Sequence, residues 1–449
     1  MSERKRIYLC LAHMSDAGLE QKYIKEAFDT NWVVPLGPNV NGFEADLENF
    51  VNENQNENEK LAKRVVALSS GTAAVHLALI NCGVKAGDEV CVQSFTFCAS
   101  SHPITYLGAT PVFVDSEKNT WNMDPDLLEE AIKDRIAKTG KKPKAIVPVA
   151  LYGMPYQIDK IMAIADKYDI PVVEDAAEGF GSRWKGQVLG TFGKYGVLSF
   201  NGNKMITTSG GGALVTANEE EWREIMMYAT QYRESYPYYQ HEKIGFNYRM
   251  SNICAGIGRG QMTVVDEHIA HHKHVQALYE ELLKDVPGIK VHGNPDDRYD
   301  SNFWLCTITI DPEVRIKGQE NAYKTIVTGA VGGAAGVIHA AESAHTDCEP
   351  NANVEALRVI MDQAQIEARP LWKPMHKQPV YRRVGIENCE LRIENLPSGI
   401  ICQTSDASVA YVNGVSEALF KVGMCLPAGP YVSDDDVRYI VETIKSAIV

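Results

Sequence analysis

Short apolar runs alternate with helical patterns from Val65 to about residue 250 of the chain. Between two of these runs, residues 73–83 carry apolar side chains at helical spacing, and Gly83 ends the segment. Strands that alternate with helices predict an α/β fold, with a mostly parallel central sheet flanked by helices. The predicted buried strands lie at 65–68, 90–92, 112–114, 145–150 and 171–175.

The pattern changes after residue 245. A turn there leads into a helix that the spacing predicts to continue to Asp285. We interpret this helix as the link between a large domain at 1–250, which includes an N-terminal lead-in, and a smaller C-terminal domain at 251–449. The segments at about 316–353 and 382–405 lack clear periodicity, and we expect both to be inserts.

A further helix is predicted at 43–51, near the N-terminus. Phe43, Leu47, Phe50 and Val51 keep helical spacing. Asn41 precedes them and is a candidate for the helix cap.

Lys204 lies in a polar loop between two short apolar runs, at 197–200 and 213–215. Ser199 stands at the start of this loop and three glycines close it. A lysine held against a buried sheet favours its neutral, nucleophilic form, which a Schiff-base lysine requires. The alternative is a surface lysine in an ordinary β-hairpin.

Polar residues follow other predicted strands. Asp175 ends the strand at 171–175, and the carboxyl ends of parallel strands line the ligand crevice of such sheets. The turn at 69–72 opens a helix, whose free N–H groups suit a phosphate. Phe95 and Phe97 are expected on one face of an extended segment, either as a plate for a flat ring or as core. The alternative for Asp175 is a solvent-facing acid, and the alternative for the turn at 69–72 is an ordinary helix cap.

The net charge of the chain is −14, which argues against nucleic acid or an anionic membrane as the main partner. An anionic ligand therefore needs a local basic cluster. Arg369, Lys373 and His376 lie close together with Trp372, in a segment that its prolines keep extended. The alternative is a surface edge strand.

Other patterns exclude further classes of protein. Ten cysteines are scattered without a C-x-x-C pair, which favours reduced core thiols and a cytoplasmic protein.

The apolar run near the N-terminus is interrupted by polar residues, unlike a signal peptide. The longest uncharged run, 325–341, is shorter than the roughly 20 residues of a membrane span. His268 and His272 have metal-like spacing, but Ile269 stands where a zinc motif has glutamate, so we expect a solvated basic face and no metal.

Seven motifs, in collinear order, resemble the DegT/DnrJ/EryC1/StrS family of pyridoxal-phosphate nucleotide-sugar aminotransferases. The resemblance runs from about Ile7 to the end of the chain, and the two predicted inserts depart from it. It implies fold type I of the pyridoxal-phosphate enzymes, with a small C-terminal α+β domain. SFNGNK and RPLWKPMH are similar to the bacillosamine-type UDP-4-keto-6-deoxy-N-acetylglucosamine 4-aminotransferases. The motifs are SSGTAAVHLAL, SFTFCAS, VVEDAAEGFGS, SFNGNKMITTSGGG, GFNYRMSN, RPLWKPMH and CLPAG.

The resemblance also implies roles for single residues. Lys204 would bind pyridoxal 5'-phosphate covalently, and Asp175 would pair with its ring nitrogen. Asn247 would reach the phosphate in a neighbouring subunit, which implies a homodimer with shared sites. The implied cofactor contacts are Phe97 for stacking, Glu178 beside the ring hydroxyl, and Gly71, Thr72 and Ser199 around the phosphate. The implied contacts to the nucleotide-sugar are Asn31, Trp32, Arg369, Trp372, Lys373 and His376.

The function implied is transfer of an amino group from an amino acid, expected to be glutamate, to a nucleotide-linked 4-keto-6-deoxy sugar. A sugar 3-aminotransferase or a dehydratase of the same fold is one alternative. Lys204 counts against the dehydratase, because the dehydratase branch of the family has histidine in place of the lysine. A non-catalytic regulator that binds the cofactor or a sugar is the other alternative.

Overall fold

The computed structural model describes residues 5–53, 63–323, 348–381, 389–391, 401–404 and 408–449. Of the two predicted inserts, residues 324–347 and most of 382–405 lie outside the described residues. The described helices are α1 (Leu19–Asp29), α2 (Pro38–Val51), α3 (Gly71–Asn81), α4 (His102–Tyr106), α5 (Pro125–Thr139), α6 (Ile158–Tyr168), α7 (Glu219–Ala229), α8 (Asn252–Met262), α9 (Val265–Leu283), α10 (Ala352–Gln363), α11 (Val415–Val422) and α12 (Asp434–Ala447). The described strands are β1 (Arg64–Leu68), β2 (Glu89–Gln93), β3 (Thr110–Val114), β4 (Ile146–Val147), β5 (Val173–Asp175), β6 (Arg183–Trp184), β7 (Gln187–Val188), β8 (Tyr195–Ser199), β9 (Gly212–Thr216), β10 (Ile289–Val291), β11 (Tyr299–Asp300), β12 (Cys306–Ile310), β13 (Arg369–Pro370), β14 (Cys389–Leu391), β15 (Ile401–Thr404), β16 (Val409–Val412) and β17 (Gly423–Leu426).

A mostly parallel sheet forms the centre of the first half of the chain. β2 pairs in parallel with β3 and β4, and β5 pairs in parallel with β8. Two parallel bridges, from Ile146 to Val172 and from Val149 to Asp175, join these groups of strands. β9 lies antiparallel between β8 and β1. The predicted fold class, α/β with a mostly parallel sheet, is confirmed.

Helices against this sheet begin at polar capping residues. The Asp124 carboxylate accepts hydrogen bonds from the backbone N–H groups of Asp126 and Leu127 at the start of α5. The Ser70 hydroxyl accepts one from the Ala73 N–H at the start of α3. Such caps satisfy N–H groups that have no acceptor within the helix. The start of α3 is thereby fixed directly after β1.

A second hydrophobic core lies against the antiparallel sheet β10-β12-β17-β13. Val275 of α9, Leu357 of α10 and Ile440 of α12 are buried in it, and so is Ile7 from the N-terminal lead-in. β16 pairs with β3 of the central sheet, although it comes from the last tenth of the sequence. Both cores therefore contain residues from either side of position 250, and the division at that position stays a prediction.

Two helix boundaries differ from the prediction. α8 and α9 are separate helices, because Val264 between them leaves helical geometry with φ −121° and ψ 9°. The Thr263 hydroxyl donates to the carbonyl oxygen of Gly260 (2.6 Å) at the end of α8. α2 begins at Pro38, a residue that suits the first turn because its missing N–H would find no acceptor there. The single helix to Asp285 and the cap at Asn41 were therefore wrong.

His268 and His272 are buried and do not form a solvated face. The Nδ1 atom of His268 lies 3.3 Å from the carbonyl oxygen of Met205, and that of His272 lies 3.1 Å from the carbonyl oxygen of Phe303. Burial lowers the pKa of His272 to about 3. The prediction of a solvated basic face was wrong, because these side chains join α9 to neighbouring loops.

The cysteine side chains that the structure describes are free thiols. Burial raises the pKa of Cys10 to about 12, so this thiol stays protonated at neutral pH. In the described parts of the chain, the helices are too short or too polar to cross a membrane.

Candidate active site

A cavity of about 320 Å³ lies where β5 and β8 end, beside the start of α3. It contains residues from several distant parts of the sequence. Eight of the predicted site residues line it, namely Gly71, Thr72, Phe97, Asp175, Glu178, Ser199, Lys204 and Trp372. Outside its lining lie the other six, Asn31, Trp32, Asn247, Arg369, Lys373 and His376.

Lys204 lies in the loop between the antiparallel strands β8 and β9, and its side chain is only 14% exposed. Its backbone N–H donates to the carbonyl oxygen of Asn201 (2.9 Å). The Nζ atom lies 3.5 Å from Glu178 Oε1 and 4.1 Å from the centre of the Trp304 ring. The amine is thus held between a carboxylate and an aromatic face, at the wall of the cavity.

Asp175 is the last residue of β5 and is buried. Its Oδ2 accepts a hydrogen bond from the Ser100 hydroxyl (2.7 Å), and its Oδ1 accepts one from the Ala177 N–H (3.1 Å). Burial raises the pKa of this carboxyl, although the Ser100 and Ala177 hydrogen bonds and the Lys204 charge act in the opposite direction. Because both hydrogen-bond donors are neutral, a cation in the cavity would offset the burial of the carboxylate.

Glu178 is buried three residues after Asp175. Its Oε2 accepts a hydrogen bond from the Tyr152 backbone N–H (2.7 Å), while its Oε1 faces Lys204. Burial raises the pKa of Glu178, and the Lys204 charge opposes this rise. The carboxyl is held in place on both sides and cannot move without loss of a contact.

The start of α3 forms another part of the cavity wall. The first N–H groups of a helix have no acceptor within the helix and carry a partial positive charge, which suits a phosphate. A Cβ atom at Gly212 would lie 2.4 Å from the backbone nitrogen of Gly71. Glycine at position 212 therefore allows β9 to pass directly beneath the helix start.

Phe97 and Trp372 lie near each other at the cavity, with ring centres 6.2 Å apart. Phe97 is 54% exposed, whereas Phe95 is fully buried. The prediction that both phenylalanines share one face was wrong, because β2 already ends at Gln93 and the chain turns after it. Phe97 is left available to a ligand.

The predicted basic cluster is not brought together at the cavity. His376 is buried, with Nδ1 2.6 Å from the Ser94 hydroxyl and Nε2 3.2 Å from Glu417 Oε1. The Arg369 guanidinium is bound to Glu367 at 2.6 Å. Both side chains are thus engaged within the protein, contrary to the expectation that they face a ligand.

Asn31, Trp32 and Asn247 lie away from this cavity. Asn31 and Trp32 follow α1, and the Trp32 carbonyl oxygen accepts a hydrogen bond from the Asn252 side chain (2.8 Å). Asn247 forms a β-bridge with Thr230.

Sequence reasoning missed several residues that build the site. Ser100 binds Asp175, Trp304 covers Lys204, and Tyr152 binds Glu178. Ser100 lies within the SFTFCAS motif, so its hydroxyl was a usable signal. Nothing near Trp304 in the sequence points to Lys204. The two residues are 100 positions apart, and their contact depends on how the chain between them folds.

Pyridoxal phosphate fits the groups that line the cavity. Its phosphate suits the start of α3, and its basic ring nitrogen suits the buried Asp175 carboxylate. Its carbonyl group reacts with an amine such as that of Lys204. The residues present are therefore compatible with this cofactor.

Comparisons with known proteins agree with this interpretation. Residues 15–335 match the DegT/DnrJ/EryC1/StrS aminotransferase family. EpsN of Bacillus subtilis (strain 168), whose name describes a pyridoxal phosphate-dependent aminotransferase, is 39% identical over 440 residues, which cover 98% of this chain and 95% of EpsN. GDP-perosamine synthase of Escherichia coli O157:H7 is 30% identical, with 98% of each chain covered.

The fold is also that of solved aminotransferases. The crystal structure of a DegT DnrJ EryC1 StrS aminotransferase from Brucella abortus superposes with a TM-score of 0.75 at 24% identity, over 96% of this chain and 95% of the other. The predicted family and fold type are confirmed, and the predicted cofactor agrees with the names of these proteins. The chain therefore belongs to the DegT/DnrJ/EryC1/StrS aminotransferase family.

Proposed function

We propose that this enzyme transfers an amino group from an amino acid, L-glutamate, to the keto carbon of a UDP-linked 4-keto-6-deoxy sugar of the bacillosamine type. Pyridoxal 5'-phosphate is its cofactor. One observation carries the proposal: a single cavity contains the Lys204 amine, the buried Asp175 carboxylate and the start of α3. Simple binding of a sugar or a phosphate would not require this combination.

Bound pyridoxal phosphate supplies a carbonyl that takes up the amino group and a ring that withdraws electrons from the carbon that loses a proton. In our proposal, Asp175 holds the ring nitrogen in its protonated form. Gly71, Thr72 and Ser199 surround the phosphate, and Phe97 packs on the ring face. The hydrogen bonds from Ser100 and Ala177 fix the Asp175 carboxylate before any ligand enters.

Lys204 has two tasks in this proposal. Its amine would bind the cofactor, and the same amine would take and return the proton at the reacting carbon. Glu178 lies 3.5 Å from Nζ and is itself held by the Tyr152 N–H, so it orients the amine. The same lysine thus serves both half-reactions, first with the amino donor and then with the keto-sugar.

The sugar is expected on the side of the cavity that Phe97 and Trp372 line. The Trp372 indole Nε1 is buried and, among the described residues, has no hydrogen-bond partner. It is therefore an unsatisfied donor at the cavity wall. We retain Lys373, which follows Trp372, as the candidate cation for the nucleotide phosphates.

We also propose a homodimer in which Asn247 contributes to the neighbouring site. The segment that carries Asn247 has exposed aromatic and aliphatic side chains at Tyr236, Tyr238, Tyr239 and Ile244. Exposed apolar groups of this kind are typical of an interface. Asn31 and Trp32, which also lie away from this chain's own cavity, are candidates for the same interface or for the sugar of the partner's site.

The free buried thiols support a cytoplasmic enzyme.

The decisive experiment uses the purified enzyme with pyridoxal phosphate, L-glutamate and a panel of nucleotide keto-sugars. The panel includes UDP-linked 3-keto and 4-keto sugars, and GDP-linked 4-keto sugars because a relative is named for a GDP-sugar. We expect glutamate to change the absorbance of the cofactor, and the UDP-linked 4-keto-6-deoxy sugar to restore it with formation of an amino sugar detectable by mass spectrometry.

Each other outcome identifies an alternative. Amination at the 3-keto carbon would indicate a sugar 3-aminotransferase. Loss of a sugar hydroxyl without gain of nitrogen would indicate a dehydratase. A cofactor band that no amino donor changes would indicate a non-catalytic regulator.

A further inference from the structure

Tyr152 lies in a tight turn at Leu151–Gly153 with its backbone in the left-handed region, at φ 55°. Such a conformation is uncommon for a residue with a Cβ atom and persists where the surroundings fix it. Here the Ser182 hydroxyl donates to the Gly153 carbonyl oxygen (2.6 Å). A Cβ atom at Gly153 would lie 1.9 Å from Asn302 Oδ1, so Asn302 packs directly on the turn.

The turn gives Tyr152 contacts on two sides of the cavity. Its backbone N–H donates to Glu178 Oε2 (2.7 Å). Its hydroxyl oxygen accepts a hydrogen bond from the backbone N–H of Trp372 (2.8 Å). The rings of Tyr152 and Trp372 are also in contact, with centres 5.6 Å apart.

These contacts join parts of the chain that are far apart in sequence. Glu178 lies beside Lys204, whereas Trp372 belongs to the segment after β13. The contact to Glu178 uses the main chain, and the contact to Trp372 uses the side chain. A change of the side chain therefore separates the two effects.

We infer that Tyr152 is a positioning residue for the sugar half-reaction. Its hydroxyl holds the Trp372 wall at a fixed distance from the Lys204–Glu178 pair, so that the sugar is presented to the amine in one orientation. This inference rests on the proposed function. Tyr152 acts through its hydrogen bonds to residues of the cavity wall and takes no part in proton transfer.

The test compares Tyr152→Phe with Tyr156→Phe. Tyr156 is also fully buried, but its hydroxyl has no hydrogen-bond partner among the described residues, so its removal controls for loss of a buried hydroxyl. With UDP-4-keto-6-deoxy-N-acetylglucosamine, we expect Tyr152→Phe to raise the KM about threefold to tenfold, the usual effect of one lost hydrogen bond. The glutamate half-reaction, followed by cofactor absorbance, should stay as in the wild type because the N–H bond to Glu178 remains. Tyr156→Phe should leave both unchanged.

Hydrogen exchange gives a second readout that does not depend on turnover. The Trp372 amide should exchange faster in the holoenzyme of Tyr152→Phe than in that of Tyr156→Phe or the wild type, as measured on a peptide that contains residues 371–375. Equal exchange in all three proteins, or an unchanged sugar KM, would overturn the inference. Equal damage to both half-reactions would overturn it as well, since that result indicates a merely structural role.

The same measurements distinguish this inference from the proposed function. If the wild type aminates no sugar of the panel, the proposed function fails. The exchange rates of the Trp372 amide then still decide whether Tyr152 holds the segment after β13.

Discussion

The Nζ atom of Lys204 lies 4.1 Å from the centre of the Trp304 ring. The Trp304 indole N–H donates to the carbonyl oxygen of Asn203, the residue before the lysine, at 2.6 Å. The tryptophan therefore fixes both the main chain and the side chain of the lysine loop. Because Trp304 directly precedes Leu305 and β12, the resting position of the amine depends on the second half of the chain.

We expect Trp304→Leu to slow the glutamate half-reaction about threefold to thirtyfold. The substitution removes an aromatic face that attracts the ammonium form of Lys204, an interaction worth about 0.5 to 2 kcal/mol, and it frees the Asn203 carbonyl oxygen. Trp304→Phe keeps an aromatic ring and should slow the glutamate half-reaction less than Trp304→Leu. Single-turnover absorbance of the cofactor measures the effect, and wild-type rates in the leucine variant would contradict it.

Lys204→Ala should abolish turnover while the fold persists. The alanine leaves a small gap beside Glu178 at the cavity wall, where water can enter, so we expect little change in thermal stability. Reduction with borohydride should fix the cofactor to the wild type and leave the variant unlabelled. Lys167→Ala, at an exposed lysine paired with Glu129, serves as the control. Labelling at position 204 in the wild type is required, and turnover by the alanine variant would contradict the role.

Asp175→Asn removes the anion that would keep the cofactor ring nitrogen protonated. One pKa unit corresponds to about 1.4 kcal/mol, so the loss of several units of basicity at that nitrogen should lower the rate by orders of magnitude. The phosphate contacts at α3 should still retain the cofactor. Stopped-flow absorbance with glutamate measures the rate. Asp169→Asn is the matched control, because the Asp169 side chain is almost fully exposed. A rate within a few-fold of the wild type would remove Asp175 from this role.

The sequence allowed Lys204 and Asp175 to be predicted because each lies beside a predicted strand, whereas Glu178 was implied by the family resemblance of its motif. Residues that reach the cavity from a distance could not be found in this way. Ser100 binds Asp175 across 75 positions, and Trp304 binds Asn203 across 101. Such contacts depend on the packing of separate elements, which spacing along the chain does not record.

His376 shows the opposite error. Its neighbours Arg369 and Lys373 suggested a cationic cluster, but no pattern along the chain indicated the acid that approaches His376 from α11. In the structure Glu417 lies beside both His376 and Lys377. A basic motif near prolines therefore predicts the charge of a segment correctly, whereas the direction of each side chain depends on its tertiary partners.

The contact between Glu417 and His376 predicts a pH dependence of stability. Burial alone would raise the pKa of Glu417, but hydrogen bonds from His376 and Lys377 outweigh it and lower the pKa from 4.5 to about 2. The folded pKa is thus below the unfolded one, so the stabilisation is complete above about pH 4.5 and is lost as the pH falls toward 2.

We expect Glu417→Gln to lower the free energy of unfolding by about 1 to 3 kcal/mol at pH 7. The difference from the wild type should shrink below about pH 4.5, as measured by urea unfolding across the pH range. Glu442→Gln, at an exposed residue, provides the control. A difference that stays constant down to pH 2 would show that the Glu417 charge does not contribute.

Lys373 directly follows Trp372, which lines the cavity, and lies between Pro370 and Pro374. The net charge of −14 disfavours a diphosphate, and salt confines such fields to a Debye length of about 8 Å, so a nearby cation must attract the nucleotide. We expect Lys373→Ala to raise the KM for the nucleotide-sugar about tenfold or more, because a charge-assisted contact is lost. The glutamate half-reaction, measured by stopped-flow absorbance, should change little.

Arg369→Ala is the matched comparison. Its guanidinium is bound to Glu367 at 2.6 Å, and it lies three residues before Trp372 whereas Lys373 adjoins that residue, so the substitution should raise the KM less than Lys373→Ala. Added salt should weaken sugar binding more in the wild type than in Lys373→Ala, since the variant has already lost the charge that salt screens. If Lys373→Ala slows both half-reactions equally, Lys373 stabilises the fold or the bound cofactor and does not bind the sugar specifically. Unaltered sugar kinetics in both variants would mean that neither side chain binds the nucleotide-sugar.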